Sequence, residues 1–100
     1  MSLPRLSTRS LRAHQFAALA PGPRLVVTGA VHGNETAGTR GIERVLADIE
    51  AGAIEIVRGS VTFVPVCNPL AYARGQRMGD RNLNRLLRPT AAPVEYEDHI

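Results

Sequence analysis

Leu25-Val26-Val27-Thr28-Gly29-Ala30-Val31-His32-Gly33-Asn34-Glu35 is the stretch on which the reading of this chain turns. Leu25–Thr28 is short, apolar and bounded by turn residues, the pattern of a buried strand. Gly29 and Gly33 bracket a loop in which unusual backbone angles are tolerated. Asn34 is a good N-cap, so a helix is expected to begin after it. That helix carries Ile42, Val45, Leu46 and Ile49 at i, i+3, i+4 and i+7, which makes one apolar face. Arg44 and Asp48 form an i,i+4 pair on its wet side. Ala51-Gly52 is the expected stop, with Gly52 supplying a left-handed residue.

The same reasoning extends outward. Pro21-Gly22-Pro23 punctuates the chain before the strand. Further upstream, Leu11, Phe16 and Leu19 are expected to face a core from either a helix or an irregular edge strand. Downstream, Ile54–Val57 and Val61–Val66 read as strands separated by Arg58-Gly59-Ser60. Pro65 confines the second of these to a sheet edge or a strand end. Cys67–Pro89 has no clean period and reads as a long structured loop, and such loops are usually functional or disordered. Pro93 then opens an acidic segment, Glu95-Tyr96-Glu97-Asp98, expected as the first turn of a helix. Strand, helix, strand in this order indicates the α/β class, with a right-handed crossover if the strands are parallel. A parallel sheet needs cover on both faces. One good helix and the start of another do not supply it, so residues 1–100 read as part of a domain.

Composition narrows the classes. One hundred residues allow at most one small domain, and a 44% hydrophobic content is ordinary for a globular one. The net charge of +3 comes from twelve arginines and no lysine. A lone cysteine, Cys67, rules out an intrachain disulfide and fits a reducing compartment. Arg5, Arg9 and Arg12 break up any apolar signal-peptide core, and no apolar run approaches the ~18–20 residues that span a bilayer. The expectation is a cytoplasmic protein without a membrane segment.

Three constellations carry chemistry. His32 and Glu35, at the exit of a strand, offer an imidazole nitrogen and a carboxylate oxygen to one metal ion, and both suit Zn2+. The rival reading is that Asn34 caps the helix, Glu35 complements its dipole and His32 is a loop histidine. Ligands of open α/β sheets bind beyond the carboxyl ends of the strands, where this pair lies. The series Arg74, Arg77, Arg81, Arg85 and Arg88 would form one basic stripe on a helix, which raises nucleic-acid binding as an alternative. Gly75 and Gly79 each oppose that helix by about 1 kcal/mol, and no aromatic among these arginines offers a base to stack on. Asn84 and Arg85 place an amide beside a guanidinium, a pair able to grip a carboxylate.

Taken in order, His32-Gly33-Asn34-Glu35, Cys67-Asn68-Pro69 and Asp80-Arg81-Asn82-Leu83-Asn84-Arg85 resemble the succinylglutamate desuccinylase/aspartoacylase family, which is similar to the zinc carboxypeptidases. The resemblance runs from about Gly22 to Arg88. It implies a mixed-sheet sandwich of the zinc-carboxypeptidase (phosphorylase/hydrolase-like) kind, of which residues 1–100 would be the N-terminal part of a single catalytic domain. It implies that His32 and Glu35 bind Zn2+, with Glu35 a ligand and not the general base. Arg77, seven residues before Asn84, matches the arginine that polarises the scissile carbonyl. Asn84 and Arg85 match the pair that holds the carboxylate of an N-acyl amino acid substrate. The third ligand, a histidine on a later strand, and the general-base glutamate have no match in this chain. His99 falls in the segment resembling the helix before that strand. A metallocarboxypeptidase acting on peptides is the alternative within this reading.

Overall fold

The computed structural model describes residues 7–85 and 88–100. Arg5, and positions 86 and 87 of the Cys67–Pro89 stretch, lie outside the described residues. Three strands form one mixed sheet in the order β1-β3-β2, with β1 at His14–Ala17, β2 at Arg24–Thr28 and β3 at Ser60–Val64. β2 and β3 are parallel, with Val26 opposite Thr62. They are joined through helix α1, Ala37–Glu50. β1 runs antiparallel on the other side of β3, with Phe16 opposite Val61. The α/β class therefore stands, and the upstream segment resolves as an edge strand.

The core forms where the apolar face of α1 meets the sheet. Ile42 and Leu46 pack with Val61 and Phe63, flanked by Phe16, Val27, Val45, Ile49 and Ile56. Each such side chain contributes roughly 1.5–3 kcal/mol when fully buried. The rings of Phe16 and Phe63 meet edge to face at 6.2 Å and 70°, a pairing worth about 0.5–1.5 kcal/mol beyond burial. The Arg44–Asp48 pair forms at 3.4 Å.

Several expectations are corrected. α1 begins at Ala37 after Thr36, not after Asn34. The Glu35 N–H bonds back to the His32 carbonyl at 3.1 Å, so residues 32–35 are spent on a turn. Ile54–Val57 is not a strand. The N–H groups of Ala53 and Ile54 both return to the Asp48 carbonyl, at 2.9 and 3.2 Å, which ties this segment to the end of α1 and away from the sheet. Gly52 does take the expected left-handed conformation, at φ +79. The strand over Leu25–Thr28 is present, but it is not buried. Leu25 and Val26 are 58% and 63% exposed, since no described element lies beyond β2 at its edge of the sheet. Leu11 and Leu19 are exposed as well, and only Phe16 of that group reaches the core. Pro65 stands directly after β3, as the strand-end expectation has it, and β3 is the central strand.

The expected loop contains a second helix, α2, at Pro69–Arg74. Asn68 caps it by accepting the Ala71 N–H at 3.2 Å. Pro69 occupies its first turn, where the missing N–H costs nothing, and Gly75 closes it at φ +63. The acidic segment forms a short 3-10 helix, Tyr96–His99. Among the described residues no helix is long and apolar enough to cross a membrane.

Candidate active site

Two loops meet beyond the C-terminal ends of the parallel strands. The first is residues 29–35. The Gly29 N–H bonds the Val64 carbonyl at 2.9 Å, and the Gly29 carbonyl takes the Cys67 N–H at 2.9 Å, so the β2–β3 pairing continues past both strands. Thr39, on the first turns of α1, donates its hydroxyl to the Pro65 carbonyl at 2.7 Å and pins α1 over the same end. Ala30 then turns the chain at φ +49 while buried. A left-handed alanine costs about 1–2 kcal/mol, and the cost is borne one residue before Val31-His32. Gly33 is needed for a close approach: a Cβ there would collide with the backbone of Ala71 and Tyr72 in α2.

The second loop is residues 77–85. The Arg77 carbonyl accepts the Gly33 N–H at 3.3 Å, which brings the two loops side by side. At the junction His32 uses both ring nitrogens. Nδ1 lies 3.0 Å from Glu35 Oε2, and Nε2 lies 2.9 Å from Asn82 Oδ1. Asn82 Oδ1 also accepts the Asn84 N–H at 3.0 Å. A backbone N–H can only donate, so the amide oxygen of Asn82 faces both groups, and Nε2 of His32 must carry a proton. Nδ1 is thereby left on the side of Glu35. The His32 side chain is 12% exposed and that of Glu35 66%, so the pair opens outward from a held histidine.

This arrangement fits a metal ion. Two ligands of one tetrahedral zinc, each at about 2.0–2.1 Å, stand roughly 3.3 Å apart. The His32–Glu35 spacing needs to open by only a few tenths of an ångström to reach that value. Among the described residues no third His, Cys, Asp or Glu joins them, and His99 is not brought to the pair. Cys67 is half-buried; burial pushes its thiol up, against the pull of bonds with Thr28 and Gly29, so it stays protonated at neutral pH.

The arginines part company. Arg77, Asn84 and Arg85 are exposed around the His32 loop. Arg85 Nη1 donates to the Asn84 carbonyl at 2.7 Å, which ties the members of the expected clamp to each other. Arg81 points the other way. Its Nη2 donates to Asp98 Oδ1 at 2.8 Å, its Nε lies 3.4 Å from Glu95 Oε2, and its Nη1 donates to the Arg85 carbonyl at 2.7 Å. α2 ends at Arg74, and residues 75–85 are not helical, so the series makes no single basic stripe.

Sequence reasoning missed three contributors. Asn82 was quoted only as part of a motif. Asn68 is fully buried, and Glu97 is 2% exposed. The cue for Asn68 was the Asn-Pro dipeptide, a cap followed by the residue favoured in a first helical turn. Nothing local marks Glu97, whose partners lie 16–29 residues away.

Known proteins resemble this chain in sequence and in fold. The chain is 35% identical over 81 residues to the succinylglutamate desuccinylase of Pseudomonas fluorescens, a match covering 81% of this chain and 24% of that protein. In three dimensions it resembles an aspartoacylase family protein from Mesorhizobium loti, with a TM-score of 0.75 and 27% identity over 88% of this chain and 28% of that one. It also resembles the ectoine utilization protein of Ruegeria pomeroyi, with a TM-score of 0.70 and 26% identity over 87% of this chain and 26% of that one. The chain thus spans about a quarter of the length of these relatives. Residues 21–99 match the model of the succinylglutamate desuccinylase/aspartoacylase catalytic domain, and this chain belongs to that family.

Proposed function

We propose that this chain is the N-terminal part of the catalytic domain of a cytoplasmic zinc-dependent hydrolase that cleaves the amide bond of an N-acyl amino acid. The observation that carries the proposal is the junction at Asn82, whose side-chain oxygen is shared by His32 Nε2 and the Asn84 N–H and so ties the proposed metal pair to the proposed clamp. His32 and Glu35 would hold the zinc. When bound, zinc supplies Lewis-acid polarisation of the scissile carbonyl and makes water easier to deprotonate. Arg77 donates to the carbonyl oxygen as negative charge builds there, a kind of contact whose removal costs about 3–4 kcal/mol. Asn84 and Arg85 grip the free carboxylate of the amino-acid part, Arg85 with its planar fork. Fixing that end aligns the amide with the metal pair and removes the entropy of finding the orientation. Relatives named for succinylglutamate and ectoine utilization support an acylated amino acid as substrate.

The proposal places the third ligand and the general base outside residues 1–100. The 100-residue chain alone is then expected to be inactive. The test is a panel of N-acyl amino acids and short peptides, offered to the full-length protein that carries this chain, with zinc content measured in parallel. Hydrolysis of N-acyl amino acids that falls with Arg85→Ala, and zinc content that falls with His32→Ala, are the expected results. Preference for peptides would replace this reading with the carboxypeptidase one. Equal zinc in wild type and His32→Ala would sink the His32 assignment.

A further inference from the structure

Glu97 lies at the far end of the chain from the metal pair, on a 3-10 helix of four residues. Its carboxylate is buried, and four donors converge on it. Oε2 accepts from the Gly79 N–H at 2.9 Å and from Asn68 Nδ2 at 2.7 Å. Oε1 accepts from the N–H groups of Asp80 and Arg81 at 2.9 and 2.8 Å. Three consecutive backbone N–H groups turned to one side form a concave anion site, here filled by the chain's own carboxylate. Burial pushes the Glu97 carboxyl up. The bonds from Arg81, Asn68, Gly79 and Asp80 outweigh that and hold it below the usual range, so it is ionised. Gly79 gives a second sign: a Cβ there would stand 2.8 Å from Glu97 Oε2, so the carboxylate would have to shift to admit it.

The residues that follow this turn are Asn82, Asn84 and Arg85. We propose that Glu97 is a positioning residue of the carboxylate clamp, gathering the N–H groups of residues 79–81 so that the loop delivers Asn82 to His32 and Asn84-Arg85 to the substrate carboxylate. The inference rests on the proposed clamp for its consequence and on the geometry for its cause. Asn68, which also caps α2, is the side-chain brace that donates to the same Glu97 oxygen as the Gly79 N–H.

Two variants test it. Glu97→Gln keeps the shape but turns one acceptor into a donor facing N–H groups. Gly79→Ala leaves Glu97 intact and forces its carboxylate away from the N–H groups it now accepts. Hydrogen exchange on the full-length protein should show protection of the amides of residues 79–81 lost in both, with α1 unaffected, as expected of a local opening. On the full-length protein, kcat/KM is compared for an N-acyl amino acid and for its primary amide, which lacks the free carboxylate. Both variants should lower the preference for the free acid by roughly 10- to 100-fold, because the clamp is misplaced. A general loss of folding would lower both substrates alike and leave the ratio unchanged. Where Glu97→Gln does not fold, Gly79→Ala decides. Retained protection at residues 79–81, or an unchanged ratio with protection lost, overturns the proposal. A wild-type protein that hydrolyses neither substrate removes the hydrolase reading instead, while exchange still decides whether Glu97 orders the loop.

Discussion

Replacing Asn82 by alanine separates a metal pair that stands alone from one held by the clamp loop. The Asn82 oxygen takes two hydrogen bonds, at 2.9 Å from His32 Nε2 and 3.0 Å from the Asn84 N–H. Its loss leaves the Nε2–H of a histidine that is only 12% exposed without its acceptor. An unsatisfied donor of that kind costs about 1–3 kcal/mol, and the same loss frees the imidazole to rotate away from Glu35. Removing the outer partner of a ligating histidine lowers metal affinity by about 10- to 100-fold, equivalent to about 1.4–2.7 kcal/mol. The expected zinc affinity of Asn82→Ala therefore lies one to two orders of magnitude below wild type. Competitive titration against a chromophoric zinc chelator measures it on the full-length protein that carries this chain. Asn82→Asp should bind at least as tightly as wild type, because a carboxylate accepts the same bonds and raises the basicity of the ring. Wild-type affinity in Asn82→Ala, alongside lost binding in His32→Ala, would refute the coupling of the two loops.

Acid should loosen the end of the chain first. The Arg81 guanidinium, with the N–H groups of Glu95 and Val94, pulls the Asp98 carboxyl from its ordinary 3.8 to about 2. A carboxyl lower in the folded than in the unfolded state stabilises fully above its unfolded value. That contribution is lost as pH falls through about 2. Glu97, also held low, acts in the same direction. Denaturant unfolding followed across this acid range should show the decline, and Arg81→Gln should flatten it; identical profiles would count against the Arg81–Asp98 tie. In the core, Phe63→Ala should cost about 3–5 kcal/mol, read as a lowered unfolding midpoint. At the turn before His32, Ala30→Gly should be neutral or stabilising by up to about 1 kcal/mol, since glycine accepts a positive φ without strain. Ala30→Val should destabilise by more than that, and a stable valine variant would show that the turn can be rebuilt.

What could be read from the residues alone divides along physical lines. α1 was legible because four apolar residues at helical spacing report a face that must be buried, and Ile42 and Leu46 are buried as that spacing demands. Its start was misplaced because Asn34 has the chemistry of a cap, whereas the His32–Glu35 turn claims that backbone first. Ile54–Val57 has the composition of a strand, but strand propensity is decided by neighbours, and two bonds to Asp48 keep the segment from any. α2 spans six residues, too few for a period to show. In the site, His32 and Glu35 were legible because their partnership is local. Asn82 and Glu97 were not, because each acts on groups 16–50 positions away, and no spacing rule reaches across a fold.

The arginine series shows why residue type and spacing do not by themselves assign a role. Arg77, Arg81 and Arg85 follow one another at intervals of four, and a helix would have aligned them. Gly75 and Gly79 oppose that helix, and Glu97 works against it as well. By collecting the N–H groups of residues 79–81, it takes the donors a helix would need for its own ladder and bends the chain instead. The bend sends Arg81 back to Asp98 and Glu95, where it neutralises two carboxylates of the segment that carries Glu97. Arg77 and Arg85 are left exposed. One buried carboxylate thus stands where a basic stripe would run and leaves one arginine anchored and two exposed, the division that the proposed clamp requires.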